Sequence, residues 1–274
     1  MSKPERLALL GHPVSRSLSP AMQNAALAAA GKTIKYEAID VTIEDFEKTL
    51  TDFLNSGGAG NITIPHKQHA FQCMDACTEE ANKCGAVNTF WRDDYGRTCG
   101  HNTDVTGFAT MMREFLGEIS PNLRVAVLGA GGAASAVLTA IAAWPGATAT
   151  VHARDLARAT ATRMRHSVVV KAASMRDPLI AEADIVVNAT PVGMSSDEHP
   201  VELDRVAPNA IIVDLVYAPQ ETSWVRDARA RGHRSIDGLS MLLHQGVAAF
   251  ECWFGEEPDQ SAMKKALLEA AGRT

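Results

Sequence analysis

Val125-Ala-Val-Leu-Gly-Ala-Gly-Gly-Ala-Ala134 is the stretch that decides the fold. Four apolar residues read as a short buried strand. Gly129 bends the chain out of it, and a helix starts a few residues later. In the pattern G-x-G-x-x-G/A, Gly131 marks where a pyrophosphate approaches backbone, and Ala134 lets the helix pack close to the sheet. The turn Gly129, Ala130, Gly131, Gly132, Ala133 and Ala134 then presents free N–H groups to phosphates. Alone, this pattern also fits an ordinary strand–turn–helix. The next apolar run, Ala149-Thr-Val-His-Ala153, leads into Arg154-Asp155-Leu156-Ala157-Arg158. That lies a little beyond the usual distance of about 20 residues at which dinucleotide folds select the adenosine ribose.

A chain of 274 residues suffices for two modest domains or one large one. Such a core buries about three quarters of the unfolded surface. Hydrophobic residues make up 46% and charged residues 21%, the balance of a soluble globular protein. A net charge of −6 and the lack of a basic run argue against nucleic acid or acidic lipid as partners. Val125–Val151 is uncharged and long enough to span a bilayer. Its glycines near the start and Pro145-Gly146 near the end divide it into strand, helix and strand instead, so no membrane segment is expected. Leu7–Leu10 is too short for a signal-peptide core, and the expected compartment is the cytoplasm. Five cysteines, Cys73, Cys77, Cys84, Cys99 and Cys252, form no C-x-x-C pair, and nine histidines show no H-x-x-x-H spacing. Reduced thiols and no metal are expected.

Working outward, strand and helix signals alternate, the order of an α/β protein. Arg6–Leu10 reads as a first strand. Ser19-Pro20 starts a helix, with serine as N-cap and proline at the first helical position, and Gly31 stops it. Lys35–Val41 and Gly60–Ile64 are further strands, the latter closed by Pro65. Between them Thr42-Ile-Glu-Asp45 has the shape of a capping box, and Phe46, Leu50, Phe53 and Leu54 follow at helical spacing. One polar helical stretch is predicted over roughly 66–83. A hairpin is predicted over Val87–Arg92 and Thr98–Asn102, and a helix over Asp104–Leu116. Four apolar strands follow, Val125–Leu128, Ala149–Ala153, Asp184–Asn188 and Ala210–Leu215, and after Gly238 only helix.

Several short motifs punctuate this order. Gly11-His-Pro-Val-Ser-Arg-Ser17-Leu-Ser19-Pro20 comes first, then Asn61-Ile-Thr63-Ile-Pro65-His-Lys67, Ala86-Val87-Asn88-Thr89 and Asn102-Thr103-Asp104. Past the glycine turn come Asn188-Ala-Thr190-Pro-Val-Gly193-Met194, Asp214-Leu-Val-Tyr217 and Asp237-Gly238-Leu-Ser-Met241-Leu-Leu-His-Gln245. In this sequence of motifs the chain resembles the shikimate dehydrogenases and their quinate-using relatives over nearly its full length. The resemblance implies an α/β fold of two domains around a cleft. An N-terminal substrate domain, 1–104, is completed by the C-terminal helices, 239–274. A Rossmann-type NADP-binding domain covers 105–238. It also implies reversible hydride transfer between a nicotinamide and a hydroxyl-bearing carbon of a cyclohexene carboxylate, within the shikimate pathway of aromatic biosynthesis. A monomer and a homodimer both fit the family.

Read by themselves, the motif residues leave alternatives open. Ser17 and Ser19 can bind a carboxylate, or Ser19 can simply cap its helix. Lys67 follows a strand end and a proline, so it stands near a helix start, where the dipole disfavours a cation. With Asp104 it can share a substrate hydroxyl and pass a proton, or form a structural ion pair. The resemblance implies catalysis for both. It implies substrate contact for Ser17, Ser19, Asn61, Thr63, Asn88, Tyr217 and Gln245, whose amides and hydroxyls both donate and accept. For the cofactor it implies the glycine turn, Arg154, Arg158, Thr190, Gly238 and Met241.

Cofactor choice carries two opposed signals. Arg154 and Arg158 match the family's pattern for the 2′-phosphate of NADP, whereas Asp155 replaces its threonine or serine and Ala153 its asparagine. Two cations against one anion favour NADP, with NAD as the alternative. Val105 stands where glycine is common, and His101 precedes the motif, as in some quinate-using relatives. The Ser17/Ser19 pair is of the shikimate type. The expected activity is therefore that of a shikimate dehydrogenase reducing 3-dehydroshikimate with NADPH. Quinate or aminoshikimate dehydrogenase is the nearest alternative and a non-catalytic NADP(H) sensor a different class. The arginine pair argues against a methyltransferase, whose SAM carries no phosphate.

Overall fold

The computed structural model describes Lys3–Arg273. These residues form two units: the chain up to Gly107 together with the segment from Leu242 onward, and Phe108–Met241. In the first unit β1 (Arg6–Gly11), α1 (Ser19–Ala29), β2 (Tyr36–Asp40), α2 (Phe46–Asn55) and β3 (Gly58–Ile62) alternate. Next come α3 (Lys67–Gln72), β4 (Ala76–Cys77), α4 (Glu79–Cys84), β5 (Thr89–Arg92), β6 (Thr98–His101) and the start of α5 (Asp104–Leu116). The sheet runs β2-β1-β3-β5-β6-β4. β1 pairs in parallel with β2 and β3, while β5 is antiparallel to β3 and β6. Gly60 permits the close approach of β3 to β1, because a Cβ there would stand 1.9 Å from the Ala8 carbonyl oxygen. The helical spacing of Phe46, Leu50, Phe53 and Leu54 is that of a buried face, and all four pack with Leu10, Ile62 and Phe90.

The second unit contains β7 (Arg124–Leu128), α6 (Gly132–Ile141), β8 (Thr148–Ala153), α7 (Leu156–Arg165) and β9 (Val169–Ser174), then β10 (Ile185–Asn188), β11 (Ile211–Asp214), α8 (Ser223–Ala230) and β12 (Ser235–Ile236). All neighbouring strands are parallel, in the order β12-β11-β10-β7-β8-β9. Counted from β7, this is the doubly wound order 3-2-1-4-5-6, whose direction reverses between β7 and β10. β10 is buried throughout and β7 from Val125 on, as an apolar strand inside a parallel sheet must be. The uncharged stretch is thus β7, α6 and β8, and among the described residues no helix is long and apolar enough to cross a membrane. α9 (Leu239–Phe254) and α10 (Gln260–Ala270) complete the chain, and α10 packs on α1.

Four expectations need correction. Ser19 does not cap α1: Leu18 already holds a helical conformation, and Ser19 is the first helical residue. The stretch 66–83 is not one helix. Asp75 accepts hydrogen bonds from the Thr98 N–H and hydroxyl, both at 2.8 Å, which draws the chain against β6 and inserts β4 between α3 and α4. Cys73 and Cys77 therefore do not share a helix. β9 and β12 were not expected either. They are edge strands with one covered side, and β9 alternates buried and exposed positions too irregularly to stand out.

Candidate active site

Lys67 is the first residue of α3 and Asp104 the first of α5. Lys67 Nζ donates to Asp104 Oδ2 at 2.5 Å, with the two side chains only 16% and 7% exposed. The Lys67 carbonyl accepts from Val87 N, which ties the helix start to the segment leading into β5. Asp104 Oδ1 accepts from Asn88 Nδ2 at 2.8 Å. Asn88 Oδ1 in turn accepts from Thr103 N at 2.7 Å and from the Thr89 hydroxyl at 2.9 Å. Asn61 donates to Thr89 Oγ1 and to the Asn88 carbonyl, and accepts from the Tyr36 hydroxyl at 2.8 Å. Burial pushes the Tyr36 phenol well above its usual range, so it keeps its proton and donates. A buried network satisfied at this many points holds its members in one geometry. Tyr36, Thr89 and Thr103 belong to it without having been singled out from the sequence. The available signal was polar side chains within or beside apolar strands.

The remaining candidates of this unit stand outside that network among the described residues. Ser17 Oγ accepts from Ser19 N at 3.3 Å. The loop carrying them is fixed by Asp40, which accepts from Val14 N at 3.2 Å and lies 2.5 Å from His12 Nδ1. The hydrogen bond from His12 holds the Asp40 carboxyl below the usual carboxylate range. Thr63 is half-buried just past β3, and its methyl fills the space that a Cβ on Gly11 would need. Gln245 is buried on α9 and donates to the Leu242 carbonyl. His101 donates to or accepts from the Thr78 hydroxyl at 2.6 Å, which gives it a structural place between β6 and α4.

In the second unit Gly129 has φ +111° and closes on Ala189, whose oxygen would lie 2.8 Å from a Cβ. Gly131 is different, since a Cβ there would meet only open space. It is also the N-cap of α6, and no side chain caps that helix. Open space before an uncapped helix start fits a dinucleotide pyrophosphate. Asp155 is the N-cap of α7, and its carboxylate accepts from Ala157 N and Arg158 N at 2.9 and 3.3 Å. The acid that competes with the arginines is thus engaged by its own helix, while Arg154 and Arg158 are exposed. Thr190 follows β10 and donates through both N and Oγ1 to Asn188 Oδ1. Gly238 passes so close to the Leu215 carbonyl that a Cβ would lie 2.1 Å away, Met241 is buried on α9, and Tyr217 follows β11.

Two further groups bear on chemistry. Glu47, His69 and Cys73 bring three metal-type ligand atoms within 4.8 Å of one another. Burial and the nearby Glu47 push the Cys73 thiol up, and it donates to the His69 carbonyl. Asp214 is fully buried, and burial pushes its carboxyl up from the ordinary 3.8 to about 6. The folded state therefore holds this proton more tightly than the unfolded chain does. Stability is gained as pH falls from about 6 toward 3.8, and the burial cost stands in full above 6. At about 1.4 kcal/mol per pK unit the cost is on the order of 3 kcal/mol. Asp214→Asn keeps the shape without the charge, so its thermal midpoint should exceed that of the parent at pH 8, with the gap narrowing by pH 5. Thermal unfolding at both pH values checks this, and an equal gap at both would refute it.

A doubly wound sheet with an open glycine bend after its first strand makes this a two-unit α/β protein of the dinucleotide-binding class. Two family models narrow that class: the shikimate dehydrogenase substrate binding domain matches residues 9–90, and the shikimate 5'-dehydrogenase C-terminal domain matches residues 238–268. Shikimate dehydrogenase (NADP(+)) of Mesorhizobium japonicum is 40% identical over 95% of this chain and 94% of its own. The structure of shikimate 5-dehydrogenase from Thermus thermophilus in complex with NADP(H) and shikimate is 37% identical, with a TM-score of 0.86, over 97% of this chain and 99% of that one. Quinate dehydrogenase from Corynebacterium glutamicum in complex with NAD has the same TM-score, 0.86, at 35% identity over 97% and 99%. The chain belongs to the shikimate dehydrogenase family.

Proposed function

We propose that this protein is a shikimate 5-dehydrogenase that interconverts 3-dehydroshikimate and shikimate with NADP(H). The observation that carries the reading is the buried Lys67–Asp104 pair, locked at 2.5 Å with Asn88 fixing the carboxylate. In this proposal residues 1–104 with 239–274 form the substrate domain and 105–238 the NADP domain. When bound, the nicotinamide supplies the hydride for reduction and accepts it in oxidation. The matching proton moves at the substrate oxygen. Lys67 Nζ donates it as the carbonyl becomes a hydroxyl and takes it back in the reverse direction. Asp104 holds the Lys67 side chain in place as it passes between ammonium and amine.

Ser17 and Ser19 bind the carboxylate, and Asn61, Thr63, Asn88, Tyr217 and Gln245 meet the ring hydroxyls. Asn61 and Asn88 each spend both amide hydrogens inside the network. Asn61 Oδ1, accepting from the Tyr36 hydroxyl, keeps a second lone pair for a substrate hydroxyl, whereas Asn88 Oδ1 would exchange its bond from the Thr89 hydroxyl for one from the substrate. The turn Gly129–Ala134 takes the pyrophosphate, Arg154 and Arg158 the 2′-phosphate, and Thr190, Gly238 and Met241 the nicotinamide end. The capping role of Asp155 supports NADP over NAD. A steady-state grid of shikimate and quinate against NADP and NAD tests this. The highest kcat/KM is expected for shikimate with NADP, and a higher value with NAD or with quinate would overturn the corresponding half of the assignment.

A further inference from the structure

Asp214 ends β11, fully buried, and the proposed chemistry gives it no part. Its Oδ1 accepts from Asn188 Nδ2 at 2.8 Å and from Val216 N at 3.1 Å, and its Oδ2 accepts from the Thr222 hydroxyl at 2.8 Å. Asn188 ends the neighbouring strand β10, beside the point where the sheet order reverses. Its Oδ1 is turned toward Thr190 and accepts from Thr190 Oγ1 at 2.6 Å and Thr190 N at 3.0 Å. Its other amide hydrogen goes to the Val192 carbonyl at 3.1 Å.

An asparagine amide is nearly symmetric in shape, and a flip exchanges its donor and acceptor faces. A carboxylate only accepts. It admits the Asn188 nitrogen on its side and sends the Asn188 oxygen toward Thr190. We propose that Asp214 is a positioning residue for the nucleotide site: it sets the orientation of the Asn188 amide and, through it, the Thr190–Met194 loop that leaves β10. This rests on the reading of the second unit as the NADP domain. The energetics agree, because a carboxylate kept ionised in a buried place is costly, Asp237 adds like charge, and an apolar side chain would pack there without that cost.

The test is the NADP dissociation constant of the full chain, measured by titration, together with KM for NADP and kcat. Losing a buried hydrogen bond of this kind corresponds to a change of about tenfold or more. Asp214→Ala should weaken NADP binding and raise its KM by that factor, with kcat at saturating NADP within about threefold. Asp214→Asn should restore affinity to within about threefold, because its Oδ1 still accepts from Asn188 while its Nδ2 donates to Thr222. Thr222→Val should lose stability, since Thr222 also caps α8, yet keep NADP affinity. A purely structural role for Asp214 would give Asp214→Ala and Thr222→Val the same pattern. If Asp214→Ala does not fold, Asn188→Ala removes the amide from the other side and should show the same loss of affinity. Parent-like NADP affinity in folded Asp214→Ala or Asn188→Ala overturns the inference alone. A parent protein that binds no NADP overturns the functional reading with it.

Discussion

Lys67→Ala should lower kcat by about 10²- to 10⁴-fold, the usual contribution of a positioned proton-transfer group. In the proposed reaction the carbonyl oxygen of 3-dehydroshikimate gains a proton as its carbon gains hydride, and Lys67 Nζ, held in place by the network, is the proposed donor. Asp104 Oδ2 anchors it at 2.5 Å, while Asn88 keeps Asp104 Oδ1 occupied, so the carboxylate cannot turn away. Removing the ammonium also strips a mostly buried carboxylate of its partner, which is destabilising. Thermal unfolding of each variant therefore belongs beside the kinetics, and Lys67→Met, which keeps the aliphatic stem, separates lost packing from lost chemistry. Shikimate affinity should stay within a few-fold of the parent. Turnover within a few-fold of the parent in a folded variant would show that Lys67 is not the proton carrier.

Replacing Arg154 and Arg158 together by alanine should cut kcat/KM with NADP by about 10²- to 10⁴-fold, given about 1.5–3 kcal/mol for each hydrogen bond to a charged group. Activity with NAD should change little, because the 2′-phosphate is the only group at stake. Both arginines are exposed, one just before α7 and one in its first turn. Asp155 lies between them in sequence, but its carboxylate faces the Ala157 and Arg158 N–H groups. A serine or threonine at that place would cap the helix in the same manner. The acid at this position therefore reads as a cap more than as a ribose selector. Kinetics with both cofactors check the prediction, and an unchanged NADP-to-NAD ratio would remove the arginines from the phosphate site.

Much of the fold was legible because burial writes itself into local pattern. The apolar runs of β7, β8, β10 and β11 and the i, i+4, i+7, i+8 spacing in α2 each report which face of one element is covered. Edge positions report weakly. β12 has two residues and β9 is half solvated, so neither carries the hydrophobic signature of an inner strand. β4 was hidden for another reason: it exists because Asp75 is tied to Thr98, 23 residues away.

The sequence by itself determined the chemistry on offer: a glycine bend after an apolar strand, a lysine and an aspartate each set at a helix start, and two arginines one turn apart. All of these follow from residue type and short-range spacing. Only the tertiary structure decided how those groups are committed. It brings Lys67 to Asp104 across 37 residues of chain, turns Asp155 onto its own helix, makes Ser19 helical rather than capping, and sets Asp214 against Asn188 at the ends of adjacent strands. A hydrogen-bonding side chain has several partners available to it. The choice among them is made by which neighbours packing delivers, and those neighbours come from distant parts of the chain.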